Sequence, residues 1–103
     1  MKTNWDPKAK DSLRQIARYI NAKFGKKARV DFMQKVKDTE LLLRRSPNVG
    51  QIDPLFDGRT IAYRSVVING LNKMVYRVDG DIIYIVAFWD TRREPKEQTN
   101  QIK

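Results

Sequence analysis

Between Asp6 and Gly25 the apolar residues Ala9, Leu13, Ile16, Ala17, Ile20 and Phe24 recur every three or four positions, the spacing of one helical face. Asp6-Pro7 marks the start, with a carboxylate at the N-cap and proline at the first helical position. Gly25 marks the stop. A second pattern opens near Lys26 and carries Ala28, Phe32, Val36 and Leu43 on one side, widened by Met33 and Leu42. It ends at Ser46-Pro47, because the residue before a proline is pushed out of the helical region. A link as short as Gly25 folds the two helices into an antiparallel hairpin. Neither can bury its stripe alone, so something flat must cover both.

The second half of the chain supplies that partner. Ile61–Ile68, Lys73–Val78 and Ile82–Trp89 are rich in Ile, Val and Tyr and read as strands. Asn69-Gly70 and Asp79-Gly80 lie between them, and both suit type I′ hairpin turns, which require positive φ. Lys2–Trp5 is a further short strand candidate; Pro47-Asn48-Val49-Gly50 reads as a turn and Gln51–Arg59 as a loop. Helices first and a meander after predict an α+β fold. Its N-terminal helical hairpin packs on one face of a small, mainly antiparallel sheet of about four strands. Residues 1–95 form one domain, and 96–103 a polar tail.

Composition narrows the chemistry. The chain has no cysteine and no histidine, which removes thiolate catalysis, disulfides, the usual zinc clusters and the commonest general base. Asp79 and Asp81 flank a hairpin glycine and read as turn formers, so neither a metal nor a cofactor is expected. No apolar run approaches the ~18–20 residues of a membrane helix, and no leader peptide is visible. These features predict a cytoplasmic domain with no membrane partner. There are 21 Lys and Arg against 12 Asp and Glu, a net charge of +9. Residues 1–50 hold 13 of those cations against 5 acids, and residues 51–103 hold 8 against 7. The positive field belongs to the helical half and suits an anionic partner.

Strand alternation sorts the remaining candidates by face. Lys73, Val75 and Arg77 share one side of their strand, and Met74, Tyr76 and Val78 the other. Ile83, Ile85, Ala87 and Trp89 likewise oppose Ile82, Tyr84, Val86 and Phe88. Two helices cover only one sheet face, so the Lys73/Arg77 face is expected to be open, with its cations as an anion site. The plainer alternative is that these stems merely pack on their neighbours. Arg92-Arg93, beyond the last strand, could clamp a phosphate or carboxylate bidentately. Arg77, Arg93 and Trp89 are therefore candidates for binding a target or an anion, although Trp89, like Tyr76 and Tyr84, fits sheet packing more simply.

Trp5 to Ile20, Gly25 with Ala28 and Phe32, Pro47 to Gly50, Tyr63-Arg64, Met74 to Val86 and Arg92 to Pro95 form an ordered set. It resembles the toxins of the RelE/ParE superfamily over roughly residues 3–95. The long hairpin and the Pro47-x-x-Gly50 exit look closer to the ParE branch. The resemblance implies the toxin of a bacterial type II toxin–antitoxin, or plasmid stabilisation, module. Such a growth inhibitor is neutralised by a cognate antitoxin, typically through an acidic C-terminal segment. A ParE-like member would poison DNA gyrase, whereas a RelE-like member would be an endonuclease cutting mRNA on the ribosome. In the RelE-like case Arg64, Lys73 and Arg92 fall at or near the cationic catalytic positions. A non-toxic basic nucleic-acid-binding module is the remaining alternative.

Overall fold

The structure, a computed structural model, describes residues 1–53 and 61–90. Strand β1 (Lys2–Trp5) leads into helix α1 (Pro7–Phe24), and helix α2 (Lys26–Arg45) follows across Gly25. Asp6 caps α1 as expected, its carboxylate accepting from the Lys8 backbone N–H at 2.9 Å. At the other end of the hairpin α2 stops at Ser46, whose N–H reaches the Leu42 carbonyl at 2.8 Å. Then come β2 (Gln51–Ile52), β3 (Arg64–Ile68), β4 (Asn72–Asp79) and β5 (Ile82–Asp90).

The sheet has five strands in the order β1-β5-β4-β3-β2, not about four. β2, β3, β4 and β5 pair antiparallel, while β1 runs parallel to β5 with Lys2 opposite Ile82 and Trp5 opposite Ile85. The added strand is Gln51-Ile52, which the sequence reads as loop and which pairs with Ser65 and Arg64. Two residues carry too little pattern to be seen from sequence. Asn69 and Gly70 both have positive φ, of 56° and 71°, the type I′ signature. In the second hairpin Asp79 pairs with Ile82, and Gly80 alone has positive φ. That is a type II′ pattern over Gly80-Asp81 rather than the expected I′ over Asp79-Gly80.

Period-two alternation fails in β5. Val75 pairs with Ala87 but Tyr76 pairs with Ile85, leaving Val86 as an extra residue. A bulge of this kind reverses which side chains face which way beyond it. Ile83 and Ile85 before it, and Phe88 after it, therefore all enter the core beneath the helices, while Ala87 and Trp89 turn to the opposite face. The core joins Ala9, Leu13, Phe32, Val36 and Leu43 from the helices to Met74, Tyr76, Ile83, Ile85 and Phe88 from the sheet. The Phe88 ring meets Phe32 edge-on at 6.1 Å and Trp5 at 6.3 Å, distances at which aromatic pairs attract. Phe24, Met33 and Leu42, expected on the core stripes, are exposed instead.

The face away from the helices is not bare. Tyr63, Val75, Ala87 and Trp89 form a second buried cluster there, so the predicted open face is open only around its margins.

Candidate functional site

Lys73 lies on β4 between Val67 of β3 and Trp89 of β5, on the outer face. Its ammonium is 2.8 Å from Asp53 Oδ2; the lysine side chain is 13% exposed and the aspartate 2%. Asp53 is itself positioned because its backbone N–H donates to the Tyr63 carbonyl at 2.9 Å. Two charges withdrawn from water this far hold each other strongly, since either alone would be left uncompensated. Asp53 is absent from the sequence-derived candidates. It sits just past a two-residue strand, where neither periodicity nor motif marks it.

Arg77 shares the outer face with Lys73. Its guanidinium lies over the Tyr84 ring, 4.2 Å from the centroid, and Nη1 is 3.7 Å from Asp79 Oδ2. The side chain remains 26% exposed, so this cation is half-held and still reachable. Trp89 is 2% exposed, and its indole N–H is buried without a partner among the described residues. It packs in the outer cluster and offers no stacking platform.

Arg64 belongs to the other face. It stands opposite Tyr76, and its Nη1 donates to the Gly50 carbonyl at 2.8 Å and the Asn48 carbonyl at 3.4 Å. Tyr76 completes a latch on the same turn. Its hydroxyl donates to the Pro47 carbonyl at 2.7 Å and accepts from the Gly50 N–H at 2.9 Å. Burial pushes the Tyr76 hydroxyl pKa up from its ordinary value, while the Gly50 N–H and the Arg64 charge pull partly the other way. The Pro47-x-x-Gly50 motif is thus a fastening between α2 and the sheet. Arg64 and Lys73 point to opposite sides of the sheet and do not converge. Arg92 and Arg93 lie outside the described residues.

The larger concavity is elsewhere, and the sequence reading missed it. A groove of about 620 Å³ runs between α1, the start of α2, the β3–β4 turn and the end of β5. Ile16, Ile20 and Phe32 line it, Tyr19, Phe24 and Leu71 are exposed along it, and Asn72 and Asp90 add polar groups. The signal in the sequence was Tyr19, an aromatic to one side of the face of Ala9, Leu13 and Ile20, whereas Phe24 keeps to that face and is exposed at the last residue of the helix. Walls of mixed character, more apolar than polar and with no cation among them, suit side chains of a protein segment better than a phosphate. None of the described helices is long and apolar enough to cross a membrane.

A helical hairpin on one face of a small mixed sheet, with a groove along the first helix and cations engaged inside the fold, defines a small α+β domain. The family model described as the ParE toxin of the type II toxin–antitoxin system, parDE, matches residues 4–95. The chain belongs to this family and is a ParE-like toxin of a type II toxin–antitoxin system. Its fold is similar to a chain in the solved chromosomal ParDE toxin–antitoxin system from P. aeruginosa. That match has a TM-score of 0.70 at 20% sequence identity and covers 87% of this chain and 95% of that one. No curated protein matches the chain in sequence.

Proposed function

We propose that the chain arrests growth by poisoning DNA gyrase rather than by cutting mRNA. The observation that supports this is the divergence of its cations. Cleavage through a ribose 2′-OH requires the nucleophile to be aligned and a dianionic phosphorane stabilised by groups converging on one phosphate. Arg64 is committed to the carbonyls of Asn48 and Gly50 on the helix-covered face, and Lys73 to Asp53 on the other. Releasing either would leave buried partners unsatisfied. Poisoning a protein–DNA complex needs a rigid, complementary surface and no such convergence.

The solved relative comes from a ParDE toxin–antitoxin system, and a cognate antitoxin is the partner of this chain. Its apolar segment seats in the groove beside Tyr19, Phe24 and Leu71, with acidic flanks drawn by the net charge of +9. A target of this kind places the action in the bacterial cytoplasm.

Two assays run side by side test the reading. Purified protein with gyrase, ATP and plasmid should accumulate linear DNA after detergent and protease treatment. The same protein added to programmed ribosomes should leave the mRNA intact. Codon-phased mRNA cleavage with undisturbed gyrase would reverse the assignment.

A further inference from the structure

Cations outnumber acids along the seam of the helical hairpin. Arg29 Nε on α2 donates to Asn21 Oδ1 on α1 at 3.1 Å, which fixes where the two helices face each other. At about 100° per residue, Lys10, Arg14 and Arg18 fall on the α2-facing shoulder of α1. Arg29, Lys37 and Arg44 fall on the α1-facing shoulder of α2. All but Arg29 are exposed, and Arg29 is half-buried. Of the α2 acids, Glu40 falls within the row, three and four residues from Lys37 and Arg44, and the other two do not. Asp31 and Asp38 occupy the far flank, Asp38 accepting from Gln34 at 2.9 Å, and Glu40 accepts from the Trp5 indole at 3.2 Å. Among the described residues Arg14 has Asp11 within salt-bridge distance at 3.3 Å, and Arg44 Nε donates to the Met1 carbonyl at 3.0 Å.

We infer that this double row is a phosphate-binding ridge for duplex DNA. The rows extend about 12 Å on α1 and 22 Å on α2 at ~1.5 Å per residue, on rods ~8–10 Å apart. A duplex presents one charge per ~1.7 Å of axis, so the longer row spans roughly six base pairs. The groove lies on the other flank of α1, where Ser12, Gln15 and Tyr19 point. A bound protein segment there leaves the ridge clear. The cavity beside Lys10 is about 330 Å³ against 620 Å³ for the groove, a smaller seat for the aromatic or aliphatic anchors that a peptide partner uses, whereas evenly spaced exposed cations on a stiff rod suit a line of phosphates. This inference does not depend on the gyrase reading, because it concerns DNA alone.

Fluorescence anisotropy of the full chain with a 20-base-pair duplex, titrated from 50 to 200 mM salt, tests it. Six neutralised phosphates give a log–log slope of roughly −5, a loss near 1,000-fold over that range. The R18Q/K37Q variant should lower the slope by about 2 in magnitude and weaken binding at least tenfold at fixed salt. K27Q/K35Q, which removes as much charge off the ridge, should match the wild type within about twofold. Circular dichroism melts of both variants control for folding. Equal losses in the two variants would make the effect diffuse charge and overturn the assignment. So would a wild-type slope shallower than about −2, or ridge-dependent preference for a polyglutamate peptide or single-stranded RNA over the duplex.

Discussion

In Gly50→Ala the new Cβ would stand 2.6 Å from Tyr76 Oη, 2.7 Å from Tyr76 Cε1 and 3.0 Å from the Ser65 carbonyl oxygen. All three distances are shorter than van der Waals contact allows, and Tyr76 is fully buried, so its ring has no free volume to move into. Overpacking of this kind costs roughly 1–3 kcal/mol. Displacing the hydroxyl also breaks its bonds to Pro47 and Gly50, at about 1 kcal/mol each. Alanine stiffens the unfolded chain and returns about 0.4–1 kcal/mol. The net loss is about 2–4 kcal/mol, read as a urea midpoint lowered by about 1–2 M with unchanged slope. A double-mutant cycle locates the cause. Tyr76→Phe removes the nearest atom and frees the ring to tilt, so the two changes together should cost about 1 kcal/mol less than their sum. A Gly50→Ala loss below about 0.5 kcal/mol, or strict additivity with Tyr76→Phe, would refute the close-approach argument.

Other outcomes follow from the same coordinates. Because the Tyr76 pKa is raised in the folded state, the unfolded chain releases this proton first as pH rises. Stability should therefore fall beyond the ordinary value of 10.0, and that part of the alkaline loss should vanish in Tyr76→Phe urea melts at pH 9 and 11. Lys73→Met strands the Asp53 carboxylate and should cost about 3–5 kcal/mol; Lys73→Met with Asp53→Asn should recover most of it in thermal melts. No recovery would mean that Lys73 holds something besides Asp53. Deleting Val86 removes the bulge residue and joins Ile85 directly to Ala87, so Ala87 and Trp89 keep the outer face and Phe88 keeps the core. The shortened chain should still fold cooperatively, and loss of the sharp melt or of native near-ultraviolet dichroism would count against Val86 as the extra residue of the register.

Where the sequence spoke clearly, it spoke through strong local chemistry. Asp6-Pro7, Gly25 and Ser46-Pro47 bound both helices where the structure has them, because caps and prolines act within a few bonds. Asn69-Gly70 likewise located its turn. Features set by distant partners were hidden. The Val86 bulge follows from pairing with Val75 and Tyr76, and no residue type announces it. Unbroken alternation therefore sets Phe88 against Ile83 and Ile85, whereas all three share the core. Arg64 and Lys73 form one cationic set only through the family resemblance. Only the register shows that each is tied to its own side of the sheet. Asp53, the partner that commits Lys73, came from a segment too short to carry a pattern.

The pairing of β1 with β5 has a consequence for how the toxin comes into being. Residues 2–5 find their hydrogen-bonding neighbours only at residues 82–85, so β1 waits for the last described strand before it is paired. Both helices emerge well before the strands that cover them, and their apolar sides have no native surface to settle on meanwhile. Long-range closure of this sort makes folding late and all-or-none. A nascent chain still held by the ribosome thus lacks the finished shape, and harm to the producing cell begins only once synthesis of the domain is nearly done.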